Sequence, residues 1–287
     1  MHGLIVLDKP AGVTSHRALA PVKASLPRGT KVGHAGTLDS FATGVLIVMV
    51  GDGTRLFDAL GMLPKEYEAV VRFGEETDTL DPVGEIVRRE HPGPQELHDL
   101  AGAVAPLVGE IDQVPPVYSA LKVGGRRASD RVRSGETPEL APRRVTIYDL
   151  DILPGPEWPD VGLRVRCSSG TYVRAIARDL GASLGLPARL ESLRRTAIGP
   201  FRAPTAAGEV VPMFDALAAT PVTRVALEGD HVVDFGHGRP VAVDRADADL
   251  VGVVDEDRRA VLGLARVEAG VLRPSRVFAD GRPNSGC

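Results

Sequence analysis

The longest wholly apolar run in this chain of 287 residues, Val45 to Val50, is only six residues long, and it directly follows a segment rich in glycine and threonine. Six residues fall far short of the roughly 20 that a membrane-spanning helix needs, and they fit a buried strand. The opening Met1-His2-Gly3-Leu4 carries no basic region followed by a long apolar stretch, so no signal peptide is expected and a cytoplasmic location is. Gly and Pro number 32 and 23, which implies many turns and many short strands. Two cysteines, Cys167 and Cys287, cannot build a disulfide framework, and neither they nor the seven histidines stand at metal-ligand spacing. Gly51-Asp52-Gly53 lacks the Lys-Ser/Thr of a phosphate loop, and no Gly-x-Ser-x-Gly elbow occurs. No metal and no cofactor is expected.

Around the apolar run, Leu4 to Leu7 reads as a short buried strand and Thr14-Ser15 as the cap of a helix reaching Ala24. A helix is expected near Thr54 to Leu60. Tyr67, Ala69, Val71 and Phe73 alternate along a half-buried strand. Pro94 to Val104 reads as helical, with proline in its first turn. Strands are expected at Ser119 to Val123, Val145 to Ile152 and Gly162 to Cys167. A helix over Thr171 to Leu184 puts Val173, Ile176, Ala177 and Leu180 on one face. Pro200, Pro204, Pro212 and Pro221 mark the expected domain boundary, after which Val222 to Phe278 runs as short Val-rich segments of a small β-rich module. The division is therefore 1–220, 221–280 and a disordered tail at 281–287.

The net charge of −4 argues against a polybasic nucleic-acid binder, but the average conceals a strong asymmetry. Residues 68–112 hold 11 acidic and three basic side chains, whereas 122–144 hold seven basic and three acidic. Residues 164–202 hold eight arginines against Asp179 and Glu191. Taken alone each basic stretch is a solvated face; together they are expected to converge on a footprint of RNA size that flanks the functional cleft, with the acidic segment lying away from it. From Pro221 onward nine basic residues face 11 acidic ones, so little phosphate grip is expected there.

The sharpest segment is Gly33-His34-Ala35-Gly36-Thr37-Leu38-Asp39-Ser40-Phe41-Ala42-Thr43-Gly44-Val45-Leu46, in which small residues surround one carboxylate and a buried strand follows at once. Such a segment lets backbone approach a ligand while the strand fixes the aspartate. It equally suits a glycine-rich turn in which Asp39 bonds only its own backbone. With no metal or phosphate-loop signal, the chemistry left is nucleophilic or acid–base work by a lone carboxylate with Tyr and Arg helpers.

That segment resembles the signature of the TruB-type pseudouridine synthases, which isomerise one uridine in the T loop of tRNA. Further motifs of the family follow in its order. They are Lys9-Pro10-x-Gly12-x-Thr14-Ser15, Lys65-Glu66-Tyr67, Asp78-Thr79-x-Asp81-x-x-Gly84 and Gln113-x-Pro115-Pro116-x-Tyr118-Ser119-Ala120-Leu121-Lys122. Ser168-Ser169-Gly170-Thr171-Tyr172-Val173-Arg174 and Leu190-x-x-Leu193-Arg194-Arg195 complete the set, which covers about residues 3–202.

The resemblance implies that Asp39 is the catalytic aspartate, either attacking the sugar C1′ or assisting loss of its C2′ proton. Arg174 resembles the arginine paired with it, and such a neighbour favours a charged, oriented carboxylate. Tyr67 is implied to stack on the target base and to move a proton late in the reaction, and Leu193 to cover the base's other face. His34 is implied to fill the space of a flipped uridine. Tyr172 would line the same pocket, and Lys9 would contact phosphate or support the active-site loop.

The implied fold is α/β of the α+β type, a catalytic domain around a mixed, mainly antiparallel sheet with a small C-terminal PUA-like domain. The implied partner is the T stem-loop of tRNA, bound by a monomer without an obligatory protein partner. A guide-RNA-dependent relative that modifies ribosomal RNA normally carries basic extensions, which this sequence lacks. A non-catalytic RNA chaperone would not need Asp39, Tyr67 and Arg174 together. Two departures stand out: Ser40 where the family usually has proline, and Ser129 where an aromatic is common.

Overall fold

The computed structural model describes residues 2–204 and 210–278. Its first strands are β1 (Gly3–Lys9), β2 (Val32–Ala35), β3 (Thr43–Val50) and β4 (Lys65–Phe73), then β5 (Glu75–Thr77), β6 (Ile86–Arg89) and β7 (Gly109–Gln113). The short β8 (Lys122–Val123) and β9 (Arg126–Arg127) precede β10 (Arg143–Leu153), β11 (Asp160–Cys167), β12 (Ala188–Ile198), β13 (Phe201–Arg202) and β14 (Val210–Pro212). The C-terminal part adds β15 (Thr223–Ala226), β16 (Val241–Ala242), β17 (Ala248–Asp255), β18 (Ala260–Glu268) and β19 (Val271–Val277). The helices are α1 (Ala20–Ala24), α2 (Phe57–Gly61), α3 (Pro94–Val104), α4 (Ala128–Arg133), α5 (Val173–Ser183), α6 (Met213–Ala218) and α7 (Asp230–Gly236). No helix among the described residues is long and apolar enough to cross a membrane.

One large sheet runs β14-β1-β3-β12-β4-β11-β10-β7, with β2 paired to β3 and β13 to β12. A second sheet runs β15-β17-β18-β19-β16. The fold is thus the expected mixed α/β one, with a β-rich C-terminal part. In the large sheet β3 and β12 are parallel, while the other pairs are antiparallel. That parallel junction is brief: Thr43 pairs with Arg194 and Gly44 with Arg195. Two strands that touch and then part leave a crevice, and the aspartate segment enters β3 at this point.

Gly44 shows why the junction needs glycine. Its φ is +106°, and a Cβ there would stand 2.1 Å from the carbonyl oxygen of Arg195. Gly44→Ala is expected to combine backbone strain with a collision against main chain, at a cost of about 2–4 kcal/mol. A thermal unfolding curve indistinguishable from the parent's would reject this account.

The alternation read from Tyr67 to Phe73 is realised in β4, whose alternate residues are buried. On α5 the apolar face packs against this sheet: Val173, Ile176, Ala177 and Leu180 share a core with Tyr67, Val71, Leu190 and Leu193. A second core joins the two sheets, drawing Leu4, Val45 and Ile47 together with Phe214, Val254, Val261, Leu264 and Phe278. At the same contact, Arg55 Nη1 donates 2.7 Å to the Val277 carbonyl, with its guanidinium 5.7 Å from the Phe278 ring centre.

Two expectations need correction, and one strand was not expected. The helix expected from Thr14-Ser15 begins later, as a 3-10 turn over Arg17–Leu19 running into α1. Thr14 Oγ1 does accept from the Arg17 N–H at 3.2 Å, but the Ser15 hydroxyl is engaged elsewhere, with Leu38. Only Lys122–Val123 of the expected 119–123 strand is extended, because the Ser119 N–H turns back to the Val117 carbonyl. Finally, the central strand β12 went unanticipated. The expected disordered tail, 281–287, lies outside the described residues.

Candidate active site

Asp39 stands on the loop between β2 and β3, and each residue beside it is fastened. The Leu38 side chain is buried in the core. Its N–H donates to Ser15 Oγ at 2.8 Å, while the Ser15 hydroxyl donates to the Leu38 carbonyl at 2.9 Å. On the other side the Ser40 carbonyl accepts from the Gly12 N–H at 2.8 Å and from Lys9 Nζ at 3.3 Å. The turn therefore does not depend on proline at position 40. Lys9 is fully buried, and its remaining bonds go to the carbonyls of Pro10 at 2.9 Å and Val13 at 2.7 Å. Three donors on three carbonyls leave none for phosphate, an arrangement that fits the second of its two expected roles, support of the loop.

The carboxylate meets a guanidinium in fork geometry. Arg174, on α5 and only 4% exposed, donates from Nε to Asp39 Oδ2 at 2.9 Å and from Nη2 to Oδ1 at 3.2 Å. Its other contacts reach two distant segments, the Thr79 carbonyl at 2.8 Å and the Tyr118 carbonyl at 2.9 Å. Asp81 Oδ2 lies 3.9 Å from Nη1. One arginine thus gathers the three segments that bound the site. Helix α5 is itself held at its start, where Gln113 Oε1 accepts from the Tyr172 N–H at 2.9 Å and Gln113 Nε2 donates to the Tyr172 carbonyl at 3.2 Å.

Asp39 lies where two clefts meet. One, of about 300 Å³, is lined by Asp39, Tyr67, Tyr172, Arg174 and Leu193, with Lys65 and Arg195 also in its wall. The expected aspartate, arginine, two tyrosines and leucine therefore converge. The adjoining cleft, of about 500 Å³, is lined by His34, His16, Asp39, Arg127 and Arg133. Lys9 stands behind the loop and lines neither. Burial pushes the phenols of Tyr67 and Tyr172 up, so both stay protonated at neutral pH. Burial, with His16 and Arg195 nearby, pushes the His34 imidazole down, leaving it a neutral ring at pH 7. Its Nδ1 is buried without a hydrogen-bond partner among the described residues.

The charge asymmetry resolves only partly as expected. Within 164–202, Arg189 pairs with Glu75 at 2.9 Å and Glu191 at 2.7 Å, Arg194 with Asp8 at 2.7 Å, and Arg202 with Glu66 at 3.3 Å. Much of this stretch is thus paired with carboxylates of the same chain. Both stretches reach the site, this one through Arg174 and Arg195 and the other through Arg127 and Arg133. The acidic segment is not wholly remote, since Asp81 lines the same cleft.

Sequence reasoning gave no role to Arg195, which lies on β12 at 1% exposure. It donates from Nε to the Val45 carbonyl at 2.8 Å and from Nη2 to the Gly36 carbonyl at 3.0 Å, tying β12 to both ends of the aspartate segment. A signal was present: adjacent arginines on a strand must face opposite ways, and Arg194 faces Asp8. Gln113 and Ser15 were quoted only as motif residues, and nothing local marks their tertiary partners.

Residues 23–173 match the family model described as TruB family pseudouridylate synthase (N terminal domain), and residues 223–278 match Pseudouridine synthase II TruB, C-terminal. The chain belongs to the TruB family of pseudouridylate synthases. A relative from Thermobifida fusca (strain YX), named tRNA pseudouridine synthase B, is 42% identical over 96% of this chain and 98% of its own. One of the same name from Arthrobacter sp. (strain FB24) is 39% identical over 100% of this chain and 99% of its own. Among solved structures, a chain in a crystal structure of a Cbf5-Nop10-Gar1 complex is similar. It gives a TM-score of 0.71 at 25% identity, covering 96% of this chain and 84% of that one.

Proposed function

We propose that this chain converts uridine 55 in the T loop of tRNA to pseudouridine, acting as a monomer in the cytoplasm without an obligatory protein partner. The observation that carries the reading is the forked Arg174–Asp39 pair in the wall of a nucleoside-sized cleft shared with Tyr67 and Leu193. Near 40% identity over almost the whole length to enzymes named tRNA pseudouridine synthase B favours tRNA over a guide-dependent target. The C-terminal part, 221–280, serves as an accessory module to the catalytic domain, 1–220.

A uridine inside a folded loop must leave its stack to enter the cleft, at a cost of a few kcal/mol. The neutral, flat His34 ring fills the space it vacates. Asp39, held by Arg174, engages the sugar at C1′, or removes the C2′ proton, as the glycosidic bond breaks. Tyr67 and Leu193 sandwich the detached base so that it turns without escaping, while Tyr172 closes the wall beside Asp39. Tyr67, protonated and buried, relays a proton once C5 has bonded to C1′.

The test is incubation of purified protein with unmodified tRNA followed by mapping of pseudouridine. A single product site at position 55 is expected. No product, or product only elsewhere, overturns the reading.

A further inference from the structure

The floor of the 300 Å³ cleft contains more positive charge than the Asp39–Arg174 pair accounts for. Lys65 is 6% exposed and Arg195 is 1% exposed, and both line this cleft. Among the described residues neither forms an ion pair. Lys65 Nζ donates to the carbonyls of Gly61 at 2.9 Å and Leu63 at 2.6 Å, which leaves one of its three N–H groups free. Arg195 bonds the carbonyls of Val45, Gly36 and, at 3.4 Å, Thr37. Taking an unpaired cation out of water is costly, and carbonyl dipoles offset only part of that cost. Two such cations beside one cleft make a site electrostatically incomplete until an anion enters it.

We infer that Lys65 and Arg195 form a preorganised cationic floor that stabilises the uracil as an anion while it is detached from the sugar. This rests on the isomerisation proposed above. When the C1′–N1 bond breaks, its electron pair stays on the uracil ring, and Asp39 takes up C1′ as an ester or receives the C2′ proton. After the ring turns, C5 returns a pair to C1′ and Asp39 is released or gives the proton back. The C5 proton then leaves and N1 gains one, so atoms and electrons balance with no other reactant. The charge exists only between the two bond events, which is where fixed positive groups lower the barrier.

Lys65 also titrates within reach of neutral pH. Burial, reinforced by Arg195, pushes the Lys65 ammonium down to about 8. The other titratable and charged groups around it are Tyr67 on β4, Cys167 on β11, Asp39 and Arg174. Burial pushes the Tyr67 phenol up and the Cys167 thiol up to about 11, so neither changes charge near pH 8. Lys65 is charged below its value and neutral above it, so the chemical step slows as pH rises through 8.

Lys65→Met keeps the apolar stem and removes the charge. Single-turnover pseudouridine formation at pH 7 is expected to fall about thirtyfold or more, with tRNA affinity within about twofold. Lys65→Arg, charged at every working pH, is expected to recover most of the rate and to lose the alkaline fall that the parent shows. A second readout needs no turnover: the parent should bind 5-nitrouracil, an anion at neutral pH, at least about tenfold tighter than uracil, and Lys65→Met should erase that preference. The inference is overturned if the parent's rate stays level through pH 8 to 9, if the alkaline fall persists in Lys65→Arg, or if the parent shows no preference for the anion. Failure of the isomerisation reading appears differently, as absence of pseudouridine at every pH with the anion preference intact.

Discussion

Asp39→Asn is expected to reduce pseudouridine formation on tRNA by a factor on the order of 10⁴ or more, while tRNA binding stays within about threefold. Asparagine preserves the shape of the side chain and can still accept from Arg174. It can neither form an ester at C1′ nor serve as a base toward C2′, so the bond-breaking step loses its only carboxylate at fork distance from Arg174. The fold should survive. Leu38 and Ser40 are anchored through Ser15, Gly12 and Lys9 independently of the aspartate side chain, and Asp81 remains 3.9 Å from the guanidinium. A product yield equal to the parent's would remove Asp39 from the mechanism.

The second large effect concerns Arg174→Lys. Lysine keeps the charge, but its ammonium cannot reach two carboxylate oxygens and the Thr79 and Tyr118 carbonyls at once. Turnover is expected to fall by about 10²–10³, the scale of losing one preorganised donor, with a smaller loss in tRNA affinity. Arg174 is 4% exposed and so is not placed to grip phosphate. Equal losses in turnover and in binding would instead assign it to phosphate contact.

How much of this was legible in the sequence depended on whether a residue's partner was near in the chain. Strand β4 and helix α5 were, because period-2 and period-3.6 burial are local patterns, and Tyr67 and Arg174 stood on them. Strand β12 was hidden because Arg189, Glu191, Arg194 and Arg195 break the apolar alternation that marks a half-buried strand. In the fold Arg189 meets Glu75 and Arg194 meets Asp8, with 114 and 186 positions between partners. The basic stretch looked unpaired for the same reason: local counts cannot see neutralisation from across the sheet. Asp39 itself was legible as a carboxylate among small residues, but only its resemblance to a known signature separated that from an ordinary turn.

The shared packing of the two sheets has one more consequence. Four prolines between 200 and 221 suggest a hinge, yet the side chains backing β3, the strand that carries the aspartate segment, include Val254, Val261 and Phe278 from far beyond it. The proline-rich crossing is a boundary of topology and not of cooperativity. A chain shortened beyond the crossing would strip the packing from the active site's own foundation.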